Sequence, residues 1–159
     1  MAVDEETQDW GRRKAMLKAT LVQEVDAVHA YISAWFRGDV PQSDADFIRE
    51  FAGRLAPGMV NIQPSGQILT GEQLVTGIRA GYGSNPDFRI AIREGELRGF
   101  DDQGGLAMFT YAEFQTGARQ TVPADNVRVS SVLFSVSAEA ERPFWLHIHE
   151  TARANEAGR

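Results

Sequence analysis

The chain has 159 residues, which is the usual size of one domain and leaves little room for two separate cores. It contains no cysteine, so thiol catalysis, disulfide bonds and cysteine-ligated zinc are excluded. Its net charge of −6, from 16 Lys and Arg against 22 Asp and Glu residues, argues against nucleic acid as a partner, because phosphate binding depends on clustered basic side chains.

The first residues, 1–11, are polar and acidic, and we expect a flexible N-terminal arm there. They lack the apolar stretch of a secretory signal. No apolar run in the chain approaches the roughly 20 residues that a bilayer-spanning helix needs. We therefore expect a cytoplasmic protein without a membrane partner.

A long first helix is predicted from about Trp10 to Arg37. Apolar residues recur there every three or four positions, which places them on one helical stripe facing a core. Gly38 is a suitable residue to end the helix, because glycine adopts the left-handed conformation that commonly follows one. The stripe comprises Leu17, Leu21, Val25, Val28, Ile32 and Trp35.

Two shorter helices follow in the sequence. Ser43 is a good N-cap for the second. Thr70 and Gln73 form a capping box at the start of the third, since each side chain can satisfy an unpaired backbone N–H at that end. Between these helices, Met59–Gln63 and Ile68–Leu69 are expected to form a small strand pair.

The remainder of the chain is predicted to form an antiparallel meander. An alternating strand begins at Phe88, and three long strands follow at Leu106–Thr116, Asn126–Val136 and Phe144–Thr151. Because the helices precede the strands, the pattern favours an α+β fold over an alternating α/β fold. We expect one domain over residues 12–151, followed by a polar tail at 152–159. The helices must cover the apolar face of the sheet, and a pocket between them is a natural result.

Three segments resemble the nuclear transport factor 2-like superfamily. Residues 31–39, YISAWFRGD, resemble the end of its first helix, and residues 64–74, PSGQILTGEQL, resemble its turn into the third helix. Residues 145–151, WLHIHET, are similar to the last strand of SnoaL-like proteins and of the association domain of calcium/calmodulin-dependent protein kinase II. The resemblance covers roughly residues 12–151. It implies a cone-shaped, strongly curved antiparallel sheet with the N-terminal helices packed on its concave face.

Polar residues alternate along the strand that contains Glu113. Tyr111, Glu113 and Gln115 share one face of it, because successive strand side chains point to opposite sides. They could form a polar pocket wall, with Glu113 as a catalytic base, Tyr111 as a donor and Gln115 as an orienting group. Alternatively this face is solvated and the opposite face, which includes Leu106 and Phe114, points to the core.

Arg128 and Ser130 share a face of the next strand with Val132. The resemblance implies that Arg128 occupies a pocket position, where its planar guanidinium would suit a carboxylate ligand. We predict that Arg128 and Ser130 bind ligand. A surface position for Arg128 near the strand start is the alternative.

On the last strand we expect Phe144, Leu146, Ile148 and Glu150 to face the helices. Glu150 would then enter the pocket as a second catalytic acid or as the partner of Arg128. His147 and His149 would lie on the convex face with Trp145. These two histidines lack an evident third ligand, so we predict no metal site and favour packing at a subunit interface.

Tyr31 and Trp35 are the ligand-contacting residues that we predict on the first helix. In ketosteroid isomerases of this superfamily, a first-helix tyrosine helps to hold an oxyanion beside an aspartate base. That aspartate is missing here, since Asn61 and Gln63 occupy the first strand. An isomerase of that kind is therefore not supported.

Two functions remain open. In the first, the protein binds a small molecule such as a carboxylate, and is either a SnoaL-like enzyme with acid/base chemistry or a binder. In the second, it is a dimerisation or association module without catalysis. The superfamily hosts both kinds of protein, so the resemblance does not decide between them. No cofactor is predicted. A homodimer is expected because a curved sheet leaves a broad convex face, to which Val129, Leu133 and Trp145 would contribute.

Overall fold

The computed structural model describes residues 2–154. Three α-helices and six strands follow one another along the chain, with a single 3₁₀ turn at Ala52–Arg54. The helices are α1 (Ala2–Arg37), α2 (Asp44–Glu50) and α3 (Gly71–Ala80). The strands are β1 (Leu55–Ile62), β2 (Ile68–Thr70), β3 (Arg89–Asp101), β4 (Leu106–Thr116), β5 (Asn126–Ser135) and β6 (Phe144–Arg153). None of the helices among these residues is long and apolar enough to cross a membrane.

Helix α1 begins much earlier than the apolar stripe indicates. It starts at Ala2 rather than Trp10, so the arm expected at residues 1–11 is helical wherever the structure describes it. Residues 2–10 include no proline or glycine, and acidic residues near a helix N-terminus interact favourably with its dipole. Trp10 stacks on Phe100 of β3, with ring centroids 4.6 Å apart, and this contact supports the first turns against the sheet.

The caps of the two shorter helices form as the sequence predicts. The Ser43 hydroxyl accepts a hydrogen bond from the backbone N–H of Asp46 at 3.2 Å. Thr70 and Gln73 exchange the two hydrogen bonds of a capping box. Helix α2 ends at Glu50, and Leu55 already belongs to β1, so β1 starts before the predicted Met59.

The six strands form one open sheet in the order β2-β1-β6-β5-β4-β3. The sheet is mixed, because β1 runs parallel to β6, whereas the other neighbouring strands pair antiparallel as predicted. A hairpin forces its strands to be antiparallel, but β1 and β6 are separated by most of the domain and are free of that constraint. The strand β6 also continues to Arg153, into the segment predicted as a tail.

A β-bulge in β6 changes which side chains face the helices. The register with β5 shifts between the pairs Leu133–His147 and Phe134–Trp145, so Leu146 is the extra residue. Trp145 is therefore buried at 2% exposure, whereas Phe144 is 38% exposed. The prediction that Phe144 and Leu146 face inward, with Trp145 on the convex side, is wrong for this reason.

The core lies between α1, the 47–51 region and the concave face of the sheet. The predicted stripe on α1 supplies Leu21, Val25, Val28 and Trp35, all buried. From the sheet come Phe109 of β4, Val132 and Phe134 of β5, and Trp145 and Ile148 of β6. Helices on one face of a curved sheet are thus the architecture that the sequence predicts.

A buried carboxylate connects α1 to the β5–β6 loop. Glu24, at 3% exposure, accepts hydrogen bonds from Trp145 Nε1 at 3.0 Å and from Arg142 Nε at 2.8 Å. Arg54 Nε lies 3.5 Å from the same carboxylate. Two guanidinium groups and an indole N–H thereby compensate for the desolvation of one acid.

Candidate functional site

A cavity of about 380 Å³ lies between the helices and the concave face of the sheet. Its helical wall is apolar, with side chains from α1 and α3. Its sheet wall is polar, with side chains from β1, β4, β5 and β6. The apolar contributors include Val28, Ile32, Phe36, Leu74 and Ile78, and the polar contributors include Asn61, Tyr111, Glu113, Gln115, Arg128 and Glu150.

The polar face of β4 points into this cavity. Tyr111, Glu113 and Gln115 are exposed by 2%, 4% and 7%, whereas Leu106 and Met108 on the other face are exposed by 37% and 39%. The structure therefore agrees with the first interpretation of this strand, in which the three polar residues face the helices. Gln115 donates a hydrogen bond from Nε2 to the Glu113 carboxylate, which fixes that carboxylate on the wall.

His29 of α1 faces Glu113 across the cavity wall. Its Nδ1 lies 2.8 Å from the Val25 carbonyl oxygen. Because a carbonyl can only accept, Nδ1 carries a hydrogen, and Nε2 is the atom that gains or loses a proton. Nε2 lies 3.4 Å from Oε2 of Glu113 and 3.5 Å from the Tyr111 hydroxyl. The three groups form one contiguous cluster of ionisable side chains.

The two partners shift each other's pKa. Burial by itself would lower the pKa of His29, but the hydrogen bond and negative charge of Glu113 outweigh it, and the pKa is raised. Burial would likewise raise the pKa of Glu113, but the hydrogen bond and charge of His29 outweigh it, and the pKa is lowered. The pair is consequently charged over a wider pH range than either residue would be alone.

Tyr111 stays neutral beside this pair. Burial, with a further contribution from the charge of Glu113, raises the pKa of its phenol well above the usual value. Ser130 lies directly opposite Tyr111 in the strand register and has no exposed surface. Ser130 is beneath the cavity wall rather than on it, whereas Tyr111 lines the cavity.

Arg128 and Glu150, which strand parity places on one face, come together at the sheet wall. Arg128 NH1 lies 3.5 Å from Oε1 of Glu150, and Asn61 Nδ2 donates to the other carboxylate oxygen at 3.2 Å. Burial raises the pKa of Glu150, the charge of Glu113 adds to that effect, and Arg128 opposes it. Glu150 thus retains a proton to a higher pH than an exposed glutamate.

No protein-family model and no curated protein matches this sequence. Solved structures do match. An NTF2-like protein of unknown function from Pseudomonas aeruginosa is 24% identical, with a TM-score of 0.72 over 85% of this chain and 99% of that one. A candidate dehydratase of the NTF2-like family from Streptomyces avermitilis is 11% identical, with a TM-score of 0.64 over 88% and 98%. The association domain of CaMKII from C. elegans is 12% identical, with a TM-score of 0.64 over 87% and 98%.

This chain has the nuclear transport factor 2-like fold. At these identities the likeness concerns the fold alone. The neighbours include proteins of unknown function, a candidate dehydratase and an association domain, which is consistent with both functions left open by the sequence. The activity has to be inferred from the side chains that this chain places in the cone.

Two predicted ligand contacts lie away from the cavity of this nuclear transport factor 2-like fold. Trp35 is buried at 2% exposure, donates from Nε1 to the Ile78 carbonyl at 2.9 Å, and packs on Phe47 with ring centroids 4.6 Å apart. Tyr31 packs beside Trp35. Neither residue lines the cavity, whereas Val28, His29 and Ile32 of the same helix do. Trp35 is a core residue here, and the partly buried Tyr31 packs against the core.

His29 is the functional candidate that sequence reasoning missed. It is four residues after Val25 and three before Ile32, so it lies on the apolar stripe itself. The sequence did contain a signal for this site, because a histidine on a buried helical stripe can face the strand that contains Glu113.

The mouth of the cone is covered by the β4–β5 loop, residues 117–125. Its residues Ala118 to Thr121 line the cavity. Arg119 donates to the Ser84 carbonyl at 2.7 Å, and Asn85 donates to the Gly117 carbonyl at 2.8 Å. These bonds hold the loop against the α3–β3 connection, and Arg119 adds a cationic group to the lining of the cavity.

The outer face of the sheet carries His147 and His149. The residues described here contain no group of three or more His, Asp or Glu side chains arranged to hold a metal. His149 is directly opposite Ser131 in the strand register, and His147 is opposite Leu133. Trp145, expected on this face, lies inside the cone because of the bulge.

Proposed function

We propose that this protein binds a small organic molecule in the cone and transfers a proton to or from it. The observation that carries the proposal is the buried His29–Glu113 pair on the cavity wall. Buried ionisable pairs with shifted pKa values that line a cavity are candidates for general acid/base catalysis. The apolar helical wall would hold the body of the molecule while the polar sheet wall orients its reacting group.

Each polar group has a defined role in this proposal. Above the pKa of His29, neutral Nε2 accepts a proton from the ligand, and Glu113 stabilises the imidazolium that forms. The Tyr111 hydroxyl donates to an oxygen on which negative charge develops. Glu150, whose pKa burial raises, is a second proton donor at the opposite side of the wall. Glu113 and Glu150 are thus the proposed catalytic carboxyls, with His29 added to them.

Proton transfer is tested by hydrogen–deuterium exchange. Small ketones, aldehydes and esters are incubated with the protein in D₂O, and loss of the C–H signal next to the carbonyl is followed by NMR. We expect exchange that rises as the pH passes the pKa of His29. His29→Gln and Glu113→Gln should each slow it by about 10²–10⁴-fold, the usual contribution of a general acid/base group.

Lys18→Gln is the control, because Lys18 pairs with Glu96 at an exposed site on the outside of the cone. Compounds that bind without any exchange would show a binding protein and refute catalysis. Absence of binding by every compound in the panel would refute the small-molecule function as a whole.

Assembly is a second candidate function, favoured by the outer face of the sheet. That face carries apolar side chains that are only partly covered, and Met108 is 39% exposed. The similarity to an association domain supports the same idea. We propose that two copies of the chain pair through the outer face of β4–β6, whose apolar members are Met108, Phe114, Val127, Val129 and Leu133.

A further inference from the structure

The contact between Arg128 and Glu150 is weak for a buried ion pair. One N–H faces one carboxylate oxygen at 3.5 Å, whereas a bidentate arginine–carboxylate pair has two bonds near 2.8 Å. Within the described part of the chain, Glu150 is the single hydrogen-bonding partner of the Arg128 guanidinium. Its side chain is 18% exposed, and it faces the cavity. Arg128 therefore has donors to spare for an anion.

Glu150 is surrounded by groups of both signs. Arg128 faces it from β5, Glu113 and Tyr111 from β4, His29 from α1, and the uncharged Asn61 from β1. Asn61 holds one carboxylate oxygen, which leaves Oε1 directed at Arg128. A negative group that binds Arg128 would consequently approach Oε1 of Glu150.

The remainder of the cavity accepts an apolar body. Across from the Arg128–Glu150 pair, the helices offer aliphatic and aromatic surface from Val28, Ile32 and Phe36 of α1 and Leu74 and Ile78 of α3. A cavity of about 380 Å³ holds a molecule of modest size. Its shape and chemistry suit a compound with one anionic end and an apolar remainder.

We propose that the cavity takes an apolar monocarboxylic acid whose carboxylate binds Arg128 and whose entry adds a proton to Glu150. In the complex the Glu150 O–H donates to one ligand oxygen while the guanidinium donates to the other. Two carboxylates at hydrogen-bonding distance cannot both stay ionised in a buried site, so they share one proton. This inference names the ligand class of the proposed function and uses the same cavity.

Protonation of Glu150 on binding should make the affinity for the acid depend on pH. The pKa of Glu150 is raised in the free protein, and a bound carboxylate raises it further. Between the free and bound pKa values, each binding event takes up about one proton, so affinity falls about tenfold per pH unit there and levels off above the bound pKa. If Glu150 stayed ionised, binding would show no such uptake.

The experiment is isothermal titration calorimetry with butanoate, hexanoate, octanoate and 3-phenylpropanoate, with the matching primary amides and alcohols as controls. Titrations in two buffers of different ionisation enthalpy give the number of protons exchanged. We expect uptake approaching one proton with the acids, none with the amides or alcohols, and affinity that declines with rising pH.

Two variants distinguish the effect of Glu150 protonation on binding from the effect of the Arg128 charge. Glu150→Gln keeps a donor at this position but cannot titrate, so it should bind the acids at least as tightly as the parent, without proton uptake. Arg128→Gln should weaken binding by at least about tenfold, because charge-assisted hydrogen bonds are lost. Arg98→Gln is the matched control, since Arg98 is an exposed arginine that bonds Thr110 on the outside.

The outcomes separate this inference from the proposed function. Binding of acids without proton uptake, weaker binding of acids by Glu150→Gln, or equal affinity for acids and amides would each refute the inference and leave a small-molecule site. Absence of binding by all probes would refute both. The parent titrations test the proposal even if a variant fails to fold.

Discussion

Nε2 of His29 lies 3.4 Å from Oε2 of Glu113, although one residue belongs to the helical layer and the other to the sheet. The side chains of His29 and Glu113 are 10% and 5% exposed, so water screens this contact little. The pair joins the two layers at the wall of the cavity. The stability of the fold and the proposed proton transfer would therefore depend on the same two side chains.

Removal of either partner should destabilise the protein. We expect His29→Gln and Glu113→Gln each to lower the free energy of unfolding by about 3–5 kcal/mol, because each leaves a buried charge without its partner. The double variant should lose less than the sum of the two. Urea denaturation of the parent, the single variants and the double variant measures these losses of unfolding free energy. Lys18→Gln, which breaks an exposed ion pair, should cost no more than about 1 kcal/mol. Strict additivity would show that the pair does not interact.

The pair should also shape the pH dependence of stability. The pKa of His29 is raised, so its contribution is complete below about pH 6.5 and is lost as pH rises through the folded-state pKa. The pKa of Glu113 is lowered, so its contribution is complete above about pH 4.3 and is lost as pH falls through its folded-state pKa. The difference in Tm between the parent and the double glutamine variant should be largest between these values. An NMR titration that gave His29 a pKa below the ordinary histidine value would contradict this prediction.

Glu24 should matter for stability as much as the cavity residues do. Glu24→Gln removes the charge that compensates Arg142 and Arg54, and we expect a loss of about 3–5 kcal/mol. The urea midpoint should fall with the m-value unchanged. Glu94→Gln is the control, because the Glu94–Arg153 pair is on the surface, and there the loss should stay within about 1 kcal/mol. Equal losses in the two variants would contradict a special role for the buried carboxylate.

Homodimer formation through the outer sheet face is tested by light scattering. We expect the mass of two chains for the parent at micromolar concentration. Val129→Lys places a charge on this face and should give the mass of one chain with the fold intact by circular dichroism. Lys18→Gln, on the helical side of the fold, should remain dimeric. A parent that is monomeric would contradict the assembly proposal.

Periodicity and capping residues predicted the order and type of the elements, because those signals are local. The capping box of Thr70 and Gln73 and the stripe from Leu21 to Val28 appear as expected. The parallel pairing of β1 with β6 is a non-local contact that no local pattern encodes. The sequence similarly left both faces of β4 possible, since each carries residues that can pack, and the position of α1 decides between them.

The site was harder to predict than the fold. Strand parity placed Glu150 and Arg128 on one face, and they lie 3.5 Å apart. The same rule misplaced Phe144 and Trp145, because one extra residue in β6 reverses the alternation. His29 was overlooked because a buried stripe on a helix indicates packing before it indicates chemistry.

The last strand of the chain occupies an inner position in the sheet, between β1 and β5. Until it has been synthesised, β1 and β2 have no contact with the other strands, and both β1 and β5 present open edges to solvent. Contacts so distant in sequence slow folding, and open edges invite pairing with other chains. During translation the β1–β2 and β3–β5 parts of the sheet therefore stay unpaired with each other until the last strand emerges. A product truncated before Phe144 would be expected to aggregate rather than to form a smaller domain.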